Sequence, residues 1–191
     1  MVVRGGEQSG RSEGPGLAER IACGDALAVR ELVERHYAEL YRYAFAALRH
    51  RAASEDAVHD ALVRALEALG RYPEERIRGM SLRPWLYRIT LNTVRNRLRA
   101  RGREARLEDP GALAEPRGDP EGVMDALAAL RLLPERQRVA VSLRYLQDLP
   151  YAEISAATGW PEGTVKTLVR RGLIRLRAAM EQEERSRGGE R

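Results

Sequence analysis

Two stretches with apolar residues at three- and four-residue spacing are separated by one segment that can join neither. Residues 102–122 hold four glycines and three prolines in 21 positions, with no apolar period. Glycine adds backbone freedom and proline removes a donor, so this stretch reads as a flexible linker. Before it, Ala26, Val29, Leu32 and Val33, then Leu40, Tyr43 and Ala47, follow a helical period. Val58, Leu62, Ala65 and Leu69 mark a further helix, with Ser54 as the expected N-cap and Gly70 as its stop. Residues 71–81, carrying Pro73 and Gly79, read as a loop, and a long helix is expected over residues 82–101. After the linker the period resumes through Leu127, Leu130, Val139, Leu143 and Leu146, followed by short helices over residues 151–158 and 161–180. The expected fold is all-α. Two small helical domains, residues 17–101 and 123–180, are joined by the linker, the second containing a helix-turn-helix; residues 1–16 and 181–191 are expected to be disordered tails.

Composition narrows the alternatives. Aromatic residues are 5% of the chain and β-branched runs are scarce, which argues against a sandwich or barrel. Cys23 is the single cysteine, so an intrachain disulfide framework and a multi-cysteine zinc site are excluded. The longest apolar run, residues 43–48, is far below the roughly 20 residues that span a bilayer. Residues 1–16 hold five glycines and no apolar core, so no signal peptide, no membrane insertion and a cytoplasmic location are expected. His36, His50 and His59 lack metal-ligand spacing, and Glu55, Asp56 and Asp60 sit at a helix start, where they favour the dipole. No phosphate loop or nucleophile elbow is present, so neither an active site nor a cofactor is expected.

The net charge of +5 is small, but its distribution is uneven. Residues 17–70 carry seven arginines and nine acids, residues 71–101 nine arginines and two acids, and residues 161–177 five basic residues and one acid. The linker has a net charge of −3. Each domain thus ends in a strongly basic segment, as a protein touching a polyanion at two places would. On the long helix, Tyr87, Leu91, Val94 and Leu98 form the inward stripe, while Trp85, Arg88, Asn92, Arg95, Asn96 and Arg99 fall opposite. Arginines suit phosphates, asparagines read base edges, and an indole stacks on an unpaired base. The alternative is a solvated arginine face with Trp85 tucked against a neighbouring helix.

The C-terminal pair is sharper. In Tyr151-Ala-Glu-Ile154-Ser-Ala-Ala-Thr-Gly159-Trp-Pro-Glu-Gly163-Thr-Val165-Lys, Ile154 points inward, small Ser155 permits a close crossing, Gly159 turns the chain and Val165 anchors the second helix. Val169, Gly172, Leu173, Leu176 and Met180 share the apolar side, and Ile174 interrupts the polar one. Thr164, Lys166, Thr167, Arg170 and Arg171 point outward, where a major groove would meet them. An ordinary helical hairpin with a basic outside is the alternative.

These motifs resemble the extracytoplasmic-function (ECF) sigma factors, small bacterial initiation factors with two core helical domains. The run Leu133-Pro-Glu-Arg-Gln137, then Leu143-Arg-Tyr145-Leu, Tyr151-Ala-Glu153-Ile154 and Gly163-Thr-Val-Lys166 is similar to the fourth sigma region. Ser54-Glu-Asp56-Ala-Val58-His-Asp60-Ala-Leu62-Val-Arg64 is similar to the second region's polymerase-binding helix, and Arg83-Pro-Trp85-Leu86-Tyr-Arg88 with Asn92 to its promoter-melting helix. The resemblance implies that Glu55, Asp56, Asp60, Leu62 and Arg64 meet the β′ clamp helices of core RNA polymerase. It implies that Arg83, Trp85, Arg88, Asn92, Arg95, Asn96 and Arg99 open the −10 element and hold the non-template single strand. The second domain would dock on the β flap and set Thr164, Lys166, Thr167, Arg170 and Arg171 into −35 duplex DNA, while the acidic linker threads toward the RNA exit channel. Sigma factors of this class are commonly held by an anti-sigma factor, which becomes an expected partner. His59, Leu66, Asn96, Leu168 and Leu173 depart from residues usual in the family. A helix-turn-helix regulator acting without polymerase explains only the C-terminal half, and an interaction protein with acidic partners explains only the charge.

Overall fold

The computed structural model describes residues 16–108 and 129–188, with the side chains of residues 103–108 and 183–188 left out; nearly all of the N-terminal tail, most of the linker, the start of the second domain with Leu127, and residues 189–191 lie outside the described residues. Helices α1 (Leu17–Ala22) and α2 (Ala26–Leu48) are separated by a turn in which Gly24 adopts φ +79°. Asp25 caps α2, its carboxylate accepting from the amides of Leu27 and Ala28. Helix α3 (Arg51–Leu69) begins four residues earlier than expected. The His50 ring accepts from the Ala53 amide and is the cap; Ser54 is buried one turn in, its hydroxyl donating to the His50 carbonyl. The expected loop folds partly into α4 (Glu74–Arg78), tied to α1 by an ion pair from Arg78 to Glu19.

Helix α5 (Leu82–Glu108) continues seven residues past its expected end, through Gly102. It packs on α2 and α3, and the approach of α3 is close because Ala57, Ala61 and Ala65, spaced by four, are buried. Leu32, Leu40 and Ala44 of α2 and Leu86, Tyr87, Leu91 and Val94 of α5 complete this core. Thr90 and Thr93 are buried too, each returning its hydroxyl to a carbonyl one turn back.

The second domain holds α6 (Glu135–Val141), a π-helical turn (Ser142–Leu146), α7 (Tyr151–Thr158) and α8 (Glu162–Gly188), which runs past the expected end at residue 180. Gly159 turns α7 into α8 at φ +75°, a conformation costly for a side chain with a Cβ. Ser155 serves that turn more than a helix crossing: its hydroxyl donates to the Trp160 carbonyl at 2.6 Å. Val165, Val169 and Gly172 form the buried stripe of α8, whereas Leu173 and Met180, expected on it, are exposed, as is Ile174. Among the described residues there is no strand, and no helix is long and apolar enough to cross a membrane.

The two domains are in contact. Helix α7 lies along α5, the π turn reaches α2, and Val139, Leu143, Leu149 and Ile154 join the same apolar cluster as Tyr43, Leu91 and Val94.

Gly172 is where α8 meets α6: a Cβ there would lie 2.6 Å from Val141 Cγ2 and 3.4 Å from Leu133 Cδ1. Gly172→Ala is expected to destabilise the chain by about 1–3 kcal/mol through overpacking. Pairing it with Val141→Ala should recover part of that loss, as read by urea unfolding midpoints.

Candidate nucleic-acid and polymerase interfaces

On α5 the inward stripe lies as expected: Tyr87, Leu91 and Val94 are buried and Leu98 partly so. Opposite, Arg88, Asn92, Asn96 and Arg99 are exposed, while Arg83, Trp85 and Arg95 are half-buried. Trp85 is therefore not the open platform anticipated. Its ring packs 6.2 Å from Tyr72 at a 59° tilt, and the Arg76 guanidinium covers Tyr72 from 3.7 Å. Tyr72 lies in the turn between α3 and α4, so the ring meets that turn and not a neighbouring helix.

Three arginines of this face are held by the second domain. Arg83 donates to Glu39 at 2.9 and 3.0 Å, to Glu153 at 3.2 Å and to the Gln147 carbonyl at 2.9 Å. Arg88 donates to the Ala156 carbonyl, and Arg95 to Glu135 at 2.8 Å. Beside them the buried Tyr87 hydroxyl donates to Gln147 Oε1 at 3.2 Å. Glu39 also lies 2.5 Å from His36 Nδ1. Desolvation pushes the Glu39 carboxyl up, but hydrogen bonds from His36 and Arg83 outweigh it and hold the carboxyl below its ordinary range. Burial raises the Tyr43 and Tyr87 phenols, so both stay neutral. Asn92, Asn96 and Arg99 keep no such cover.

On α8, Lys166, Thr167, Arg170 and Arg171 are exposed and Thr164 is half-buried, so one side of the helix carries all five. Lys166 pairs with Glu162 at 2.7 Å, which raises its ammonium pKa, and sits 5.7 Å above the Tyr151 ring. The hydroxyl of Thr167 is returned to the Gly163 carbonyl at 2.8 Å.

On α3, Asp56 and Arg64 are exposed and Glu55 and Asp60 partly so, but Leu62 is 7% exposed and belongs to the core. Arg97 of α5 reaches Asp60 at 2.5 Å and Asp56 at 3.8 Å, and Glu55 pairs with Arg51 at 2.9 Å. Leu66, one of the departures noted in the sequence, and Val63, not singled out there, are the exposed large apolar residues of this helix. Glu39, Glu135, Gln147 and Glu153 were also missed. They lie 40 to 70 positions from the arginines they hold, beyond the reach of any periodic signal.

Two helical domains, each with a basic helix and the second with a helix-turn-helix, define a DNA-binding architecture, and the comparisons identify its class. Residues 32–104 match the family model for Sigma-70 region 2 and residues 124–176 that for Sigma-70, region 4. The ECF RNA polymerase sigma-E factor of Escherichia coli K12 is 34% identical over 176 residues, covering 80% of this chain and 86% of that protein. The structure of CnrH in complex with the cytosolic domain of CnrY superposes with a TM-score of 0.68 at 26% identity, covering 87% of this chain and 96% of CnrH. RpoE in complex with the anti-sigma factor NepR, from Bartonella quintana, gives 0.66 at 25% identity, covering 80% and 98%. The chain belongs to the ECF family of RNA polymerase sigma factors. It acts in promoter-specific transcription initiation, with core RNA polymerase and promoter DNA as partners.

The Glu39 site makes a pH prediction. Its folded pKa lies below the ordinary 4.5, so its contribution is complete above that value and is lost as pH falls through the lowered one. Glu39→Gln should lower the thermal midpoint at neutral pH and flatten its decline on acidification; an unchanged acid limb would exclude this role.

Proposed function

We propose that residues 17–101 form the unit that binds core polymerase and opens the −10 element, and residues 123–180 the unit that reads the −35 element, with residues 102–122 as the connection. The observation that carries this division is the pairing of two basic helix faces with two region matches in family order. Asp56 and Arg64, flanked by Glu55, Asp60, Val63 and Leu66, offer α3 a mixed polar and apolar surface for the β′ clamp helices. Leu62 fixes the helix beneath that surface.

On α5, Arg83, Arg88, Arg95 and Arg99 supply phosphate contacts, Asn92 and Asn96 offer amides to base edges, and Trp85 with Tyr72 walls the place of an unpaired base. Unstacking costs a few kcal/mol per base, offset by stacking and pocket contacts. On α8, Thr164, Lys166 and Thr167 face base edges near the helix start, and Arg170 and Arg171 face phosphates one turn on. On this reading the polymerase performs nucleotide transfer, this chain performs none, and both act in the cytoplasm. Because CnrH and RpoE are seen with CnrY and NepR, an anti-sigma partner is proposed here as well.

Reconstitution with core polymerase and promoter-dependent run-off transcription tests this reading, and failure to bind core overturns it. Trp85→Ala is expected to impair promoter opening more than polymerase binding; an unchanged permanganate footprint would count against the base pocket. Arg170→Ala and Lys166→Ala should each lower the salt slope of −35 duplex binding by about one.

A further inference from the structure

Many arginines of this chain already have an acid to themselves. Arg83, Arg95 and Arg97 of α5 and Arg144 of the π turn pair with carboxylates at 2.9, 2.8, 2.5 and 3.1 Å. Arg136, exposed near the start of α6, has no carboxylate partner among the described residues. Its neighbour Glu135 pairs with Arg95 instead, and Glu162 pairs with Lys166. What holds the Arg136 guanidinium is the Trp160 ring, whose centroid is 4.7 Å away. A guanidinium is attracted to the negative face of an indole, and the N–H groups along its edge stay free to donate outward.

Trp160 is itself fixed by its backbone. Its amide donates to the Thr158 hydroxyl at 3.3 Å and its carbonyl accepts from Ser155 at 2.6 Å, which holds the half-buried ring in the turn between α7 and α8. Pro161 and Glu162 follow directly and open α8, whose first turns carry Thr164, Lys166 and Thr167. A helix with its side chains is about 10–12 Å across and the major groove about 12 Å wide, so the start of α8 fills the groove. A cation standing beside that start lies at the groove's edge, where the phosphates run. Arg136 is brought there from α6, 24 positions before Trp160, so no helical period on α8 contains it.

We propose that Arg136 is a phosphate-contacting residue of the −35 surface and that Trp160 is its positioning residue. The ligand is the DNA backbone at the groove's edge, so the contact adds affinity and fixes the entry of α8 without reading sequence. Stacking on the indole restricts the guanidinium before DNA arrives, which reduces the side-chain freedom lost on binding. The inference rests on the assignment of α8 to duplex DNA above and extends that surface to α6 and the turn.

The test titrates the full chain, by fluorescence anisotropy over a range of KCl concentrations, against a labelled mixed-sequence duplex of about 20 base pairs, long enough to cover one groove face. Arg136→Gln, at an exposed position, should lower the salt slope by about one, which near 0.15 M salt is a complex about fivefold weaker. Arg136→Lys keeps the charge and should keep the slope. Trp160→Leu should weaken binding, and adding Arg136→Gln to it should cost much less than Arg136→Gln costs the wild type, because the two side chains act as one unit. The same cycle with Trp160→Tyr, which retains a ring, should show affinity close to wild type and keeps the positioning role open to refutation if Trp160→Leu does not fold. An unchanged slope in Arg136→Gln overturns the phosphate contact, and additive losses overturn the role of Trp160. Run-off transcription by the wild type together with an unchanged slope leaves the initiation reading standing and removes this contact. The expected slope change with no run-off from any promoter does the reverse.

Discussion

The guanidinium of Arg83 ties the two halves of this molecule together, alongside Arg88, Arg95 and the apolar cluster the halves share. It is 31% exposed and faces Glu39 within its own domain and Glu153 and the Gln147 carbonyl across the junction. Desolvation disfavours its charge, and the Glu39 hydrogen bonds restore it. Its planar fork is what allows one side chain to serve three acceptors at once, which a lysine ammonium would do with less defined geometry. Further along α5, Arg88 adds a bond to the Ala156 carbonyl of α7.

Electrostatics here is divided by location more than by amount. Arginine is nearly the only cation in the chain, Lys166 being the single lysine, and acidic segments use it as freely as basic ones. The arginines of α5 therefore differ by partner: Arg97 is held by Asp56 and Asp60, Arg83 and Arg95 by carboxylates across or near the junction, and Arg99 stays exposed. Exposed pairs of this kind contribute little to stability, typically about 0–1 kcal/mol each, so they set geometry and competition with other anions more than fold strength. Apolar burial by Leu32, Leu40, Tyr87 and Ile154 holds the helices, and small residues at Ala57, Ala61, Ala65 and Gly172 decide how closely they approach.

The sequence by itself determined the class of fold, the order of the domains and the inward faces of the main helices. That information is local: a 3.6-residue period, a glycine at the Gly159 turn and the Val165–Val169 spacing are each written within a few residues. The family motifs are local as well, so the initiation role was legible before any coordinates. Helix ends were less so. His50 took the capping role expected of Ser54 because its ring reaches the Ala53 amide, and α5 ran through Gly102. Tertiary structure alone decided what each outward residue faces. Trp85 met Tyr72, Leu62 went into the core, and Arg83, Arg88 and Arg95 met groups 40 to 70 residues away. A periodic pattern states which side of a helix is polar; only the packing of one domain on the other determines whether that side meets water, DNA or the chain's own carboxylates.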